Sequence, residues 1–196
     1  ELLEVIEYLY SVPSILIWVP FNESWGQFEA ARIADAVKRQ DSSRLVDHAS
    51  GWLDQGAGDF YSRHTYVIGL KRPPRKDARI YFISEYGGYN YREPGRLWNE
   101  ESDHGYGMFP DKQSLNEAYA NLIRGQLILL ISKGLGAAVY TQLTDVEIET
   151  NGFFTYDREI LKFDAGLARQ LNSEIYEAFE KFVSTGAGDL REERKR

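Results

Sequence analysis

The chain has 196 residues, of which 43% are hydrophobic and 27% are charged, and its formal net charge is −7 at pH 7. This length allows one domain with a substantial core, and the acidic balance argues against nucleic acid and membranes as partners. The chain has no cysteine, which excludes disulfides and thiolate metal sites but leaves the compartment open between cytoplasm, periplasm and exterior. It also contains no run of about 18 apolar residues that would predict a membrane span.

Helical and extended patterns alternate along the chain. Apolar residues spaced three or four apart predict helices over residues 2–10, 27–40, 114–132 and 165–182. Apolar runs bounded by turn residues predict strands over residues 15–19, 44–49, 59–66, 80–84 and 137–142. This alternation predicts an α/β fold with parallel strands. A doubly wound open sheet is the alternative, although the first strand is not followed by the Gly-rich turn typical of that fold.

The sequence supports three further expectations, about a long loop, a helix cap and the C-terminal tail. The loop from Tyr86 to about Lys112 is rich in Gly, Tyr and Asn, and loops of this length are usually functional. Ser114 and Glu117 have the spacing of a capping box at the start of the third helix. Residues 184–196 are glycine-rich and then highly charged, so we expect a disordered tail after a single domain over residues 1–183.

Two glutamates stand at the ends of predicted strands. Asn22-Glu23 follows the first strand, and Glu85 follows the fourth and precedes Tyr86-Gly87-Gly88. In a barrel of parallel strands these ends share the face that carries the chemistry. Two carboxyl groups meeting there predict an acid and a nucleophile for cleaving a glycosidic bond. Each glutamate also has an ordinary explanation, since Glu23 could begin a helix and Glu85 could simply precede a Gly-Gly turn.

Five segments, taken in order, resemble the catalytic barrel of glycoside hydrolase family 2, which contains β-galactosidases, β-glucuronidases and β-mannosidases. They are residues 13–18 leading to Asn22-Glu23-Ser24; residues 41–46; His64-Thr65-Tyr66; Ser84-Glu85-Tyr86-Gly87-Gly88; and residues 138–147. Their order and spacing match strands four to eight of that barrel. The resemblance covers nearly all of residues 1–182. It departs from the family pattern at Tyr140, where a tryptophan is common.

The resemblance implies a partial (β/α)8 barrel, made of strands four to eight with their flanking helices. A complete barrel has eight strands and about 250 residues. The family's first three strands and its β-sandwich domains would then belong to the missing N-terminal part of a longer enzyme. Open strand edges at residues 15–19 and 137–142 would pair with that part or lead to self-association.

The resemblance also implies the activity and its residues. It implies a retaining β-glycosidase that hydrolyses terminal β-glycosidic bonds by double displacement, with a carbohydrate substrate and no organic cofactor. Glu23 matches the general acid/base, for which Trp18, Phe21 and Trp25 could supply apolar surroundings, and Glu85 matches the nucleophile. The resemblance also implies three substrate-binding residues, namely Asn22, His64 and Tyr66. These too have ordinary explanations, and for Asn22 it is a helix N-cap.

Other candidates rest on residue type alone. Three aromatic residues could stack on a sugar ring or simply pack, namely Trp52, Trp98 and Tyr140. Asp145, Glu147 and Glu149 alternate, so an extended segment would turn all three to one side, toward sugar hydroxyls, a cation or solvent. No metal ligand set is assigned. A non-catalytic alternative stays open, in which the chain is a carbohydrate-binding barrel remnant or an inactive isolated fragment.

Overall fold

A computed structural model describes residues 1–23, 26–66, 69–72, 74, 77–101 and 105–185. Ser24 and Trp25 lie outside the described residues, as does the predicted tail from residue 186 onward. The chain forms two compact units. Unit 1 comprises residues 1–64, 76–84 and 136–138, and unit 2 comprises residues 65–75, 85–135 and 139–196, each as far as the residues are described.

The first helices and strands belong to unit 1. They are α1 (Leu2–Leu9), β1 (Ile17–Trp18), α2 (Ala30–Gln40) and β2 (Leu45–Val46). Strand β1 pairs in parallel with β2, with Ile17 opposite Leu45 and Trp18 opposite Val46. Helix α1 packs against α2, and their apolar faces join both strands in a core built on Ile6, Trp18, Ala34, Val37 and Val46. The predicted parallel pairing is confirmed, but β1 is shorter than predicted at both ends. At its C-terminal end Pro20 has no N–H to continue the ladder.

The Asp41–Arg44 turn ties the start of β2 to the segment before β1. The Arg44 guanidinium contacts Asp41 at 2.7 Å and donates to the backbone carbonyls of Tyr10, Val12 and Ile15. Asp41 also accepts the indole N–H of Trp18 at 2.8 Å. Burial would raise the pKa of Asp41, but hydrogen bonds from neighbouring side chains, Arg44 and Trp18 among them, hold that pKa well below its usual range. The turn is therefore a structural link of unit 1.

The later strands differ from the prediction in length and in number. They are β3 (Phe60–Thr65), β4 (Ile80–Gly87), β5 (Tyr89–Asn90), β6 (Gly107–Met108) and β7 (Leu135–Thr141). The sheet order of the three long strands is β3, β4, β7, and β5 pairs in parallel with β6 within the long loop. The fold is mixed α/β, and the strands of the described residues close into no barrel. None of the described helices is long and apolar enough to cross a membrane.

The helices of unit 2 lie where the sequence predicts them, but the first of them begins earlier than predicted, at Lys112. Helix α3 (Lys112–Leu122) passes through a π-helical segment (Ile123–Leu127) into α4 (Ile128–Ile131), and α5 spans Ala165–Thr185. The N-cap of α3 is Asp111, whose carboxylate accepts the Ser114 backbone N–H at 2.7 Å. The predicted Ser114–Glu117 capping box is therefore wrong, because an aspartate three residues earlier already caps the helix. Helix α5 packs against α4 and extends the predicted last helix to Thr185.

A buried ion pair organises the segment after β7. The Lys162 ammonium, fully buried, contacts Asp145 at 2.6 Å and donates to the carbonyls of Thr150 and Tyr91 at 2.8 and 3.1 Å. These three acceptors use all three of its donors. Burial raises the pKa of Asp145 and lowers the pKa of Lys162, and their contact opposes both shifts.

The acidic segment from Asp145 to Glu149 is not extended. Val146 and Glu149 exchange two backbone hydrogen bonds, of 3.1 and 2.9 Å, which close a tight turn. Glu147 at its tip has a φ of +50°. The three carboxylates therefore do not share one side, and Asp145 is directed at Lys162 in the interior of unit 2.

The Lys162→Met variant should be less stable than the wild type by about 3–5 kcal/mol, because it leaves the Asp145 carboxylate buried without its counter-ion. Urea unfolding at pH 7 measures the loss. Lys162→Met combined with Asp145→Asn should recover most of it, and Lys133→Met, at an exposed position, is the control. A single variant within about 0.5 kcal/mol of the wild type would contradict a structural role for this pair.

Candidate functional site

Glu23 is fixed at the end of the first strand of unit 1. Beyond Pro20 the ladder resumes, since Asn22 forms a parallel bridge with Ser50. The Ser50 N–H donates to Phe21 and the Glu23 N–H donates to Ser50, both at 2.9 Å. Glu23 has a φ of +50°, a left-handed conformation that is unfavourable for a glutamate and is held by its surroundings. Helix α2 begins only at Ala30 with Glu29 as its N-cap, so Glu23 does not begin that helix and Asn22 does not cap it.

The Glu23 carboxylate is the outer end of a chain of three side chains. Its Oε1 lies 3.0 Å from Nδ1 of His64, and Nε2 of His64 lies 2.9 Å from Oγ of Ser50. The side chain of Glu23 is 31% exposed, whereas that of His64 is fully buried. The Trp52 ring contacts His64 edge-on at 6.3 Å between centroids and is half-exposed. The structure therefore brings the side chains of three predicted residues of unit 1 together, namely Glu23, Trp52 and His64, and Asn22 joins them through its backbone bridge with Ser50.

A second layer of buried polar groups belongs to the same unit. Asp47, directly after β2, is fully buried, and its Oδ1 accepts the Ser62 hydroxyl at 2.9 Å. Its Oδ2 has no hydrogen-bond partner among the described residues. Burial raises the pKa of Asp47 to about 6, against the hydrogen bond from Ser62. Next to it, burial lowers the pKa of His48, whose Nε2 accepts the Gln55 backbone N–H at 3.0 Å.

Glu85 in unit 2 lies within β4 and not at its end, which corrects the prediction. Pairing continues past it because the Gly88 N–H donates to the carbonyl of Thr141 at 3.1 Å. The Tyr66 hydroxyl donates to the Glu85 carboxylate and lies 3.2 Å from Oγ1 of Thr141. Burial and the nearby Glu85 raise the pKa of Tyr66, so the phenol keeps its proton and remains a donor. The structure thus brings Tyr66 and Glu85 together.

A ring stack holds the Tyr66 side chain in place. The Tyr66 ring lies parallel to the Tyr106 ring, with an interplanar angle of 7° and 4.2 Å between centroids. Gly88, with a φ of +62°, lies so close that an added Cβ would come within 2.7 Å of the Tyr66 ring. Only glycine fits both its conformation and this contact. The Gly-Gly turn after Glu85 therefore serves the packing of the residue that donates to Glu85.

The two remaining aromatic candidates in unit 2 differ from each other. Tyr140 packs edge-on against four rings, with centroid distances of 5.5 Å to Tyr86, 5.3 Å to Tyr119, 5.1 Å to Phe153 and 5.9 Å to Phe163. Burial raises its pKa well above the usual range, which fits a residue of the aromatic core. Trp98 is 58% exposed and contacts Tyr156 at 4.9 Å, so it presents an aromatic face to solvent.

Sequence reasoning missed several residues of these sites. Ser50 directly follows the predicted second strand, and strand-end logic applied to that strand as well would have found it. Thr141 lies inside the predicted last strand, where no pattern distinguishes it. Tyr106 lies in the long loop, and its stacking on Tyr66 has no signal in the sequence.

Comparisons with known proteins do not assign the chain to a family. A scan against protein-family models gave no match, and a search of the curated proteins gave none either.

The buried Asp47 carboxylate should make stability depend on pH. Its native pKa of about 6 exceeds the ordinary 3.8, so the folded state binds this proton more tightly between these values. The wild type should therefore lose about 2 kcal/mol of stability, relative to Asp47→Asn, as pH rises from 4 to 7. Urea unfolding of both proteins at each pH measures the difference.

The control for this titration is Asp35→Asn, which removes an exposed carboxylate from α2. Its stability difference from the wild type should stay nearly constant over the same range. If the difference for Asp47→Asn were equally constant, Asp47 would not be titrating in the interior of the folded protein.

Proposed function

We propose that the chain is the catalytic portion of a retaining β-glycosidase of the glycoside hydrolase family 2 type, with Glu85 as nucleophile and Glu23 as general acid/base. The observation that carries this proposal is the hydrogen bond from the Tyr66 hydroxyl to the Glu85 carboxylate. A nucleophilic carboxylate must be ionised and oriented, and a neutral phenol that donates to it provides both conditions.

The surroundings of Glu85 suit a nucleophile. Tyr66 is held by its stack on Tyr106 and by the contact with Thr141, so its hydroxyl has a defined direction. The raised pKa of Tyr66 means that the proton stays on the phenol when Glu85 is charged. When the glycosyl ester at Glu85 is cleaved in the second step, the same hydroxyl can donate to the carboxylate as its negative charge returns.

The surroundings of Glu23 suit a residue that exchanges protons. Its side chain is partly exposed, which gives a leaving group or a water access to it. His64 holds Oε1, so Oε2 is the atom that delivers the proton in this proposal. Its left-handed backbone conformation is held by the surrounding structure, so the side chain starts from a fixed position.

The proposed reaction has two balanced steps. In the first, Glu85 attacks the anomeric carbon while Glu23 transfers its proton to the leaving oxygen, so that an aglycone alcohol and a glycosyl ester form. In the second, Glu23 takes a proton from a water, whose oxygen attacks the anomeric carbon and releases Glu85. This mechanism requires the two carboxyl groups to stand about 5–5.5 Å apart in the active enzyme.

A carbohydrate-binding protein without catalysis is the second candidate. The observation that favours it is the exposure of two tryptophans, Trp52 at 46% and Trp98 at 58%, since exposed aromatic faces can bind sugars without any chemistry. Hydrolysis separates the two candidates directly, because a binding protein holds the sugar and leaves the glycosidic bond intact.

The Glu85→Gln variant should lose hydrolysis of aryl β-glycosides by at least about 10³-fold, because an amide cannot form the glycosyl ester. The assay compares aryl β-galactoside, β-glucuronide and β-mannoside, and sugar binding to the variant is measured alongside. Binding of one of these sugars without hydrolysis by the wild type would favour the second candidate. A variant as active as the wild type would contradict Glu85 as nucleophile.

The Glu23→Gln variant should be slower by about 10²–10⁴-fold, because the second step loses its general base. Azide, a small anion that needs no deprotonation, should restore turnover and give the β-glycosyl azide. The matched control is Glu29→Gln, since Glu29 also has a left-handed φ, of 42°, but its side chain is 60% exposed and paired with Arg32. The control should keep the wild-type rate. Absence of azide rescue would argue against Glu23 as the acid/base.

A further inference from the structure

We infer that Ser50 is a positioning residue for Glu23, which acts through His64 by donating its hydroxyl proton to Nε2. This inference rests on the proposed role of Glu23 as general acid/base. It concerns the chain of hydrogen-bond contacts Ser50–His64–Glu23, in which both contacts belong to unit 1.

A neutral imidazole has one N–H and one acceptor nitrogen, so the two contacts of His64 are coupled. If Ser50 donates to Nε2, then Nδ1 carries the proton and donates it to Oε1 of Glu23. If Nε2 carried the proton instead, Nδ1 would face Oε1 as an acceptor, and an ionised Glu23 would repel it. The first arrangement is the one compatible with a charged Glu23.

The same arrangement serves Glu23 in its acid form. With Nδ1–H directed at Oε1, that oxygen remains an acceptor and the acidic proton resides on Oε2. The opposite arrangement would draw the acidic proton of Glu23 toward Nδ1 and away from the leaving group. Ser50 therefore helps to keep the proton on the oxygen that the proposed mechanism uses.

The backbone explains how Ser50 reaches His64. Ser50 is held in the ladder between Phe21 and Glu23 by two hydrogen bonds of 2.9 Å. The next residue, Gly51, has a φ of +102°, and an added Cβ there would lie 2.9 Å from three atoms of the His64 ring. A glycine is required for this approach, which brings the serine hydroxyl to Nε2.

A serine, a histidine and a carboxylate linked by hydrogen bonds also resemble the triad of a serine hydrolase. Here, however, the accessible residue is the carboxylate and not the serine. A nucleophilic serine must reach a substrate, whereas Ser50 is only 6% exposed. The accessible end of the chain is Glu23, whose side chain is 31% exposed. Ser50 is therefore the support and Glu23 the reacting group.

The first test is the protonation of the His64 ring, observed by ¹⁵N NMR of the full chain at neutral pH. In the wild type the proton should be found on Nδ1, and Nε2 should have the ¹⁵N chemical shift of an acceptor nitrogen that is hydrogen-bonded. In Ser50→Ala the Nε2 resonance should move to the position of an unbonded acceptor nitrogen, and in Ser50→Thr it should return. A proton on Nε2 in the wild type would overturn the inference without any variant.

The second test is the dependence of rate on the leaving group. Ser50→Ala should lower kcat/KM for alkyl β-glycosides by about 10- to 100-fold, because their leaving oxygen needs a well-directed proton. Dinitrophenyl β-glycosides, whose leaving group needs no proton, should react at nearly the wild-type rate. A purely structural role would lower both rates together and would overturn the inference.

The matched control is Ser62→Ala. Ser62 is also buried in unit 1, and its single hydroxyl proton faces two acceptors, Oδ1 of Asp47 at 2.9 Å and the carbonyl of Ala49 at 3.0 Å. The variant therefore also removes one buried, hydrogen-bonded hydroxyl. It should leave the Nε2 resonance and the leaving-group dependence unchanged. If the wild type hydrolyses none of the glycosides, the proposed function fails while the NMR result still decides the role of Ser50.

Discussion

The parallel ladder that joins residues 16–23 to residues 45–50 is the constraint on which the site in unit 1 depends. Backbone hydrogen bonds run from Leu45 to Leu16, from Asp47 to Trp18 and from Ser50 to Phe21, and Glu23 then donates back to Ser50. A slip of one residue would turn Glu23 and Ser50 to the opposite side. The register of this ladder therefore decides that the carboxylate, the serine and the His64 of β3 meet.

The two proposed catalytic glutamates have surroundings of different chemistry. Glu85 accepts a hydrogen bond from a phenol whose own pKa is raised, so its environment favours a fixed, charged carboxylate. Glu23 is partly exposed and contacts an imidazole, a group that can donate or accept. Different environments for two carboxyl groups are what a division into nucleophile and acid/base requires.

The sequence predicted where the strands lie better than it predicted where they end or which contacts are made there. Periodicity and apolar runs located the helices and the parallel β1–β2 pair, because burial on one face leaves a repeat in the chain. They placed Glu23 correctly but ended β4 before Glu85, because the pairing of Gly88 with Thr141 joins residues far apart in sequence. For the same reason no pattern indicated that Lys162 would neutralise Asp145 or that Tyr106 would stack on Tyr66.

The central claim is that Glu85 forms a covalent bond to the sugar, and trapping that bond tests it most directly. A 2-deoxy-2-fluoro-β-glycosyl fluoride reacts once and then hydrolyses slowly, because its 2-fluorine destabilises the cationic transition states while its leaving group lets the first step proceed. Mass spectrometry of the intact chain and of its peptides should find one fluorosugar, attached to Glu85. A label on any other residue, or on the Glu85→Gln variant, would contradict the account.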